Sequence, residues 1–591
     1  MKKYDLTELA ALAVDCQATH SNPEVGHLVE IGWEAIRASN PFDRESITNQ
    51  VQSHLVKLGE SVQIPKQFSR MTGIKSEDMK EAISTKTIWQ RLLHTAQEIS
   101  ARNQGICPAV IHFRRYEEPF LIKLHQEFSL DVDFPFTIVC THEIMRRLYP
   151  GLPRKSLRAV AGYFGLSLPV LRRSQHHVVA TAFIWDQVVR LLEEQEKITT
   201  FPELLNWLRD PPSLPLSKQC YREYPMEKAL RQNLPDKPGI YRMYRSTGDL
   251  LYIGKAKSLK NRVNSYFHKR GRHAEHILEM LSQAKNLSTT VTETALEAAV
   301  RESDEIKLQA PPYNRALLPN ERKLLFYARD FKSKRSDPNT QHPIGPIPSN
   351  TNMDSLAKFM DVLNGRTKKF TIRTIEAILE APPGYSPEKE CFKSGLEAFK
   401  KEYFAQMEKP VNLLHMMKWG TQFWEEKLIE KEQKRLEDSG DEIEEPEEEE
   451  EQKETEEVWT PGRVVKSLKR MVRMAAFHTR RARWFCRLSE STIRWAKASE
   501  NKGLTNTVEI KKGIPLFKGP WNSSGKICEP VGHGKALLER QKCFDIDTFD
   551  RMRIVTSEMR RIIQEGRDLE LCFHPGSILD KVHLDKMLKW V

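Results

Sequence analysis

Well past the middle of the chain, twenty-one residues from Glu437 to Glu457 carry fourteen carboxylates against one lysine. Such a segment cannot bury enough apolar surface to offset its ordering entropy, so it divides the chain instead of joining a core. It also conceals the charge of everything else. The tract is net −13 in a chain of net +12, which leaves +25 on the remainder. A basic excess of that size is the footprint of a polyanionic partner, because Lys and Arg facing phosphates release condensed counterions. The tract itself has two readings, a solvated tether and a mimic of nucleic-acid charge that shields the basic surface.

With 591 residues the chain exceeds what one core organises, and roughly three or four domains of about 150 residues are expected. Hydrophobic residues at 39% are enough for folded domains. No window reaches the roughly 18 uninterrupted apolar residues of a membrane span. The run Leu9 to Val14 after Met1-Lys-Lys only superficially resembles a secretory leader, since Asp5, Glu8 and Asp15 interrupt it. A cytoplasmic protein without membrane partners is the expectation. Nine cysteines are scattered singly with no C-x-x-C pair, which argues against a zinc site and against a disulfide framework.

The fold class expected is α/β multidomain. Residues 1–205 mix short apolar runs suited to buried strands (Ala10 to Val14, Leu28 to Trp33, Ala109 to His112) with helical periodicity. A proline-rich stretch, Pro211 to Leu216, separates them from a small unit over 224–320. Residues 332–350, rich in Lys, Pro, Ser and Asn, read as a linker; 354–435 read as a helical segment; 436–458 form the acidic tract; 459–591 form a mixed, basic terminal domain. There Arg480, Arg481 and Arg483 flank Trp484, and Arg494 flanks Trp495. They form either a platform for unpaired bases or core tryptophans with solvent-facing arginines.

The chemistry concentrates between Lys237 and Asn314. Two predicted strands, Gly239 to Tyr244 and Leu250 to Ile253, are joined by the turn-rich Ser246-Thr-Gly-Asp249 and form a hairpin that brings Tyr241 and Tyr252 together. Ser258 caps a helix that carries Arg262, and Glu302 lies on a later helix. A lone carboxylate such as Glu302 suits Mg²⁺ (or Mn²⁺), which keeps most of its waters. Arg262 suits charge developing on a phosphate. Tyr252, with Lys255 nearby to favour its ionised form, is suited to take a proton from attacking water. Asn314 is placed to pin the Glu302 helix to the strands, and Lys257 and Lys260 to meet the phosphate backbone. This is the equipment for phosphodiester hydrolysis with a single divalent metal.

The stretch from Asp236 to Leu318 resembles the GIY-YIG nuclease domain of the UvrC type, carried by Lys237-Pro-Gly-Ile-Tyr241, Leu251-Tyr-Ile-Gly-Lys255, Arg262, Glu302 and Asn314. The resemblance implies a metal-dependent DNA endonuclease of nucleotide excision repair, with Tyr241, Tyr252, Lys255, Arg262, Glu302 and Asn314 as its site. Damage-recognition repair proteins would be its partners. No match is found to the second nuclease domain, the tandem helix-hairpin-helix or the partner-binding motif of that family.

Further upstream, Ala13-Val-Asp-Cys-Gln-Ala-Thr-His20 and Arg70-Met-Thr-Gly-Ile74 resemble segments of the DEDD exonucleases, including the epsilon proofreading subunit of bacterial replicative polymerases. The implied fold is RNase H-like. That family binds two metals with four carboxylates. Here Asp15 is kept, Gln17 replaces a glutamate, Glu117 stands for an aspartate, His176 matches the general-base histidine, and Thr181 replaces the last aspartate. Asp186 is too far along to substitute. The expectation is a silent site with vestigial ligands Asp15 and Glu117, in a domain that still holds DNA through Arg114 and Arg115. Two alternatives are weighed: a bifunctional nuclease with an active 3′–5′ exonuclease, and a non-catalytic DNA-binding scaffold.

Overall fold

A computed structural model describes residues 4–39, 42–59, 62–129, 131–167, 171–210, 222–268, 273–314, 322–351, 353–367, 371–382, 384–403, 410–437, 458–496, 504–522, 536–574 and 577–589. It is a mixed α/β protein with two compact units, Met1–Ala298 with Leu308–Leu318, and Ala299–Lys307 with Pro319–Val591. Most of the acidic tract lies outside the described residues.

The first unit begins with a five-stranded sheet of order β3-β2-β1-β4-β5, made of β1 (Ala11–Ala18), β2 (Leu28–Ile36), β3 (Gln52–Leu55), β4 (Pro108–Ile111) and β5 (Thr137–Cys140). The first three pair antiparallel, while β4 runs parallel to β1 and β5 parallel to β4. Strand β1 is central and every one of its eight residues is buried, as expected of a strand covered on both faces. Three helices of this region position side chains discussed below: α1 (Arg114–Phe128), α2 (Leu157–Tyr163) and α3 (Ser174–Leu191). Helix α3 buries Val178, Ala182, Trp185 and Val189 in the core beneath the sheet.

The same unit holds a three-stranded antiparallel sheet of order β7-β6-β8, from β6 (Gly239–Tyr244), β7 (Leu250–Ala256) and β8 (Asn286–Val291). Helix α4 (Leu259–Ser265) follows the hairpin and α5 (Glu275–Leu281) precedes β8. The Ser258 hydroxyl accepts from the Asn261 N–H at 3.2 Å, which is the expected cap. Helix α6 (Ala295–Gln309) then leads to Tyr313 and Asn314.

In the second unit, β9 (Leu324–Tyr327), β10 (Lys334–Arg335) and β11 (Ile344–Pro348) form an antiparallel sheet of order β10-β9-β11. This corrects the linker expected at 332–350. All five residues of β11 are buried, prolines included. Pro346 and Pro348 are tolerated because β11 is an edge strand, where a missing N–H leaves no ladder bond unmade. Helices Asp354–Leu363, Ile372–Leu379, Lys389–Tyr403 and Leu413–Glu437 follow. Helix α7 (Pro461–Leu488) buries Val464, Leu468 and Val472 among them.

A second five-stranded sheet, antiparallel throughout and of order β14-β13-β12-β15-β16, closes the unit with β12 (Ser491–Ala496), β13 (Leu504–Lys511), β14 (Ile514–Asn522), β15 (Leu569–Phe573) and β16 (Ser577–Leu579). Trp484 and Trp495 are each only 3% exposed, and the Trp484 indole donates to Thr556 Oγ1 at 2.9 Å. They are core residues, so the stacking platform is discarded. Cys572 on β15 is buried and disulfide-bonded, while Cys16, Cys107, Cys140, Cys391, Cys486 and Cys543 are free thiols.

Candidate nucleic-acid cleavage site

The hairpin register sets Tyr241 opposite Gly254 and Met243 opposite Tyr252. The two tyrosine rings therefore meet on one face, with centroids 6.1 Å apart. Gly254 makes this possible: a Cβ there would lie 2.4 Å from the Tyr241 hydroxyl and 2.8 Å from the Tyr252 ring. Tyr241 is fully buried. Its hydroxyl lies 2.8 Å from that of Tyr266, to which Arg262 Nη2 donates at 3.2 Å. Burial, followed by the neighbouring phenols Tyr266 and Tyr252, drives the Tyr241 pKa well above its ordinary value. Tyr241 thus stays neutral and serves as a fixed hydrogen-bonding group.

Tyr252 is half-buried, whereas Lys255 at the strand end, Lys257 in the turn after it, and Lys260 and Arg262 on α4 are exposed. Arg262 stacks over Tyr266 with its guanidinium carbon 5.0 Å from the ring centroid. Tyr266 is the member that sequence reasoning passed over. Its signal was present, since Arg262 and Tyr266 stand four apart on the α4 turn and so share a face.

Asn314 bonds Ile253 twice, accepting from its N–H at 3.0 Å and donating to its carbonyl at 2.8 Å. The chain after α6 is thereby pinned to β7. Glu302 is half-buried on α6, in the stretch of that helix belonging to the second unit. As a single carboxylate it fits Mg²⁺, which needs only one or two protein oxygens beside its waters.

The amino-terminal constellation is different in kind. Asp15 Oδ1 lies 3.0 Å from His177 Nδ1, and Gln17 Nε2 donates to Asp15 Oδ2 at 3.4 Å. The histidine that meets Asp15 is thus His177. His176, one residue and about 100° of helix away, has a buried Nδ1 without a partner. Burial lowers the His177 pKa, but the charge and hydrogen bond of Asp15 outweigh it and the net shift is upward.

Glu117 is buried and accepts from the Phe113 N–H at 2.9 Å. Desolvation, then the Asp15 charge, raises its pKa well above the carboxylate range. Thr181 is buried one turn beyond His177. The Asp186 carboxylate is taken by Arg190 and Gln187, both at 2.9 Å. Among the described residues no group of three or more His, Cys, Asp or Glu is arranged to hold a metal. Of the two basic residues assigned to DNA, Arg114 forks onto Glu118 at 2.7 and 3.0 Å, while Arg115 is exposed.

Comparison with known proteins agrees with the hairpin region. Residues 237–315 match the UvrC-like GIY-YIG domain family, so the chain carries a domain of that class. UvrABC system protein C of Clostridium botulinum is 42% identical over 83 residues, covering 14% of this chain and 13% of that protein. Its counterpart in Psychrobacter cryohalolentis is 43% identical over 99 residues, 17% and 16% of the two chains. The chain therefore matches only a small part of the length of these relatives.

Among solved structures, the magnesium-bound GIY-YIG N-terminal endonuclease domain of UvrC from Thermotoga maritima is 34% identical. It covers 15% of this chain and 99% of that one, with a TM-score of 0.14. The nuclease domain of 3′hExo, a DEDDh family member, is 14% identical over 33% of this chain and 94% of its own, with a TM-score of 0.26.

No helix among the described residues is long and apolar enough to cross a membrane.

Proposed function

We propose that this chain is a Mg²⁺- or Mn²⁺-dependent DNA endonuclease of the UvrC GIY-YIG type, acting in nucleotide excision repair together with damage-recognition proteins. Its exonuclease-like amino-terminal domain holds DNA without cutting it. The observation that carries the reading is the buried hydroxyl pair Tyr241–Tyr266, capped by the Arg262 guanidinium and set beside Tyr252.

In this reading Glu302 holds the ion, which supplies Lewis-acid polarisation of the scissile phosphate when bound. Tyr252 takes the proton from the attacking water, and Lys255 favours its ionised form. Arg262, oriented by Tyr266, neutralises the charge that builds on phosphorus. Lys257 and Lys260 meet the backbone on one side, and Arg115 with Arg114 meets it on the amino-terminal domain.

The amino-terminal strand order 3-2-1-4-5 supports an RNase H-like fold. In this reading its pocket holds no metal pair, because Gln17 and Thr181 stand where two of the four carboxylates would be. Asp15 is engaged by His177 and Gln17, and Glu117 accepts from the Phe113 N–H. Two divalent ions held close together need several free carboxylates to offset their repulsion.

The decisive test is nicking of supercoiled plasmid by the full chain with Mg²⁺, followed by a product map on end-labelled duplex, flap, bubble and lesion-bearing oligonucleotides. Metal-dependent nicking that Glu302→Ala abolishes supports the assignment. Tight DNA binding without any nicking would leave the scaffold reading standing instead. Release of mononucleotides that disappears in Asp15→Ala would make the protein bifunctional.

A further inference from the structure

Strand β7 is an edge strand, so its outward N–H and C=O groups have no sheet partner. The chain just after α6 fills that role. The Tyr313 N–H donates to the Leu251 carbonyl at 3.2 Å, and Asn314 takes both polar groups of Ile253. Tyr252 stands between the two residues so gripped. Its outer backbone edge is therefore held through Tyr313 and Asn314, and whatever fixes Tyr313 contributes to that grip.

The Tyr313 hydroxyl donates to Glu279 Oε1 at 2.9 Å and receives the side-chain amide of Gln283. Gln283 is fully buried, and its Oε1 accepts from Arg245 Nε at 3.0 Å. The other side of this network is the amino-terminal domain. Ser156 Oγ donates to Glu279 Oε2 at 2.6 Å, and Arg158 Nε lies 3.7 Å from Glu279 Oε1. The Arg154 N–H donates to Ser282 Oγ at 2.8 Å.

The close approach rests on Gly162 of α2. A Cβ at that position would sit 1.9 Å from Gln283 Oε1 and 2.4 Å from its Cδ. The amino-terminal domain thus closes the polar network that holds Tyr313.

We propose that the amino-terminal domain is a brace for the nuclease site: α2 fixes Glu279 and Gln283, these fix Tyr313, and Tyr313 with Asn314 fixes the β7 backbone that carries Tyr252. The residues involved are positioning residues, and the proposal rests on the nuclease reading above for its effect on rate.

The test is Gly162→Ala in the full chain. It adds one methyl group in the amino-terminal domain, touches no residue assigned to cleavage, and favours helix α2 by its intrinsic propensity. Hydrogen exchange of the Ile253 amide reports the grip on β7 without reference to activity. The expected result is Ile253 exchange about tenfold faster, with kcat for plasmid nicking about tenfold lower and KM for DNA unchanged, as misplacement of a reacting group predicts.

Tyr313→Phe, which removes the bridging hydroxyl without adding an atom, should reproduce both effects and guards against a local packing failure in Gly162→Ala. Wild-type exchange at Ile253 in both variants would overturn the proposal whatever the activity. If the wild-type chain fails to nick, the nuclease reading falls while the exchange result still decides whether the brace exists.

Discussion

The amino-terminal pocket and the tyrosine hairpin are both built from nuclease-type residues, and they differ in what they do with their polar groups. In the amino-terminal pocket the groups satisfy one another. Asp15 meets His177 and Gln17, Glu117 turns back to the Phe113 N–H, and Asp186 is spent on Arg190 and Gln187. In the hairpin the buried Tyr241 hydroxyl meets that of Tyr266, which also takes the Arg262 guanidinium, while Lys255, Lys257, Lys260 and Arg262 lie at the exposed surface. In the reading proposed above, the amino-terminal pocket has too few carboxylates left for a metal pair, since Gln17 and Thr181 stand where two would be needed. Exposed cations beside a buried, fixed phenol pair are what the proposed polyanionic substrate would meet.

The sharpest way to break the contrast is to remove the open site's charge. Arg262→Ala should lower kcat for plasmid nicking about 100- to 1000-fold, and Glu302→Ala should bring it to background. DNA affinity by fluorescence anisotropy should stay within about twofold in both, since many lysines and arginines share the phosphate contact. Normal cutting by either variant would sink the assignment.

Next in size is an attempt to reopen the closed site. Gln17→Glu, Glu117→Asp and Thr181→Asp together restore the acidic pattern of the exonuclease resemblance. Calorimetric titration with Mn²⁺ should then show binding that the wild-type pocket lacks. Equal Mn²⁺ uptake by both proteins at this pocket would mean that it never closed.

The smallest effect concerns the strand beside Asp15. Burial, set against a backbone hydrogen bond from Ala35, raises the Glu34 pKa from 4.5 to about 7. The folded state therefore favours the protonated acid. Its stabilising contribution is complete below the unfolded value of 4.5 and is lost as the pH rises through about 7. Glu34→Gln, which mimics the neutral form, should stabilise the unit near pH 8 by about 1–2 kcal/mol after allowing for partial exposure. Urea unfolding at the two pH extremes would check this. A gain that persists undiminished near pH 4.5 would show another cause.

The parts legible in the sequence were those with a strong local signature. Strands β1, β2 and β4 announced themselves as apolar runs, and the β6–β7 hairpin by its glycine turn. The Ser258 cap lay in plain view. Strands β3 and β5 are four residues each, too short for a period to show. Strand β11 hid behind prolines that only an edge position permits.

Within the sites, the choice of His177 over His176 depends on helix phase, and the phase is set by how α3 packs on β1. The contact between Gly162 and Gln283 joins residues 121 positions apart, and nothing local encodes it. Long-range complementarity is the part that a single sequence withholds.

Gly254 carries no functional group, yet the two phenols occupy the space where its side chain would be. A saturation-mutagenesis survey of cleavage should therefore score this position as intolerant as Arg262. Read by phenotype alone, a position that works by leaving room would be counted among those that do chemistry.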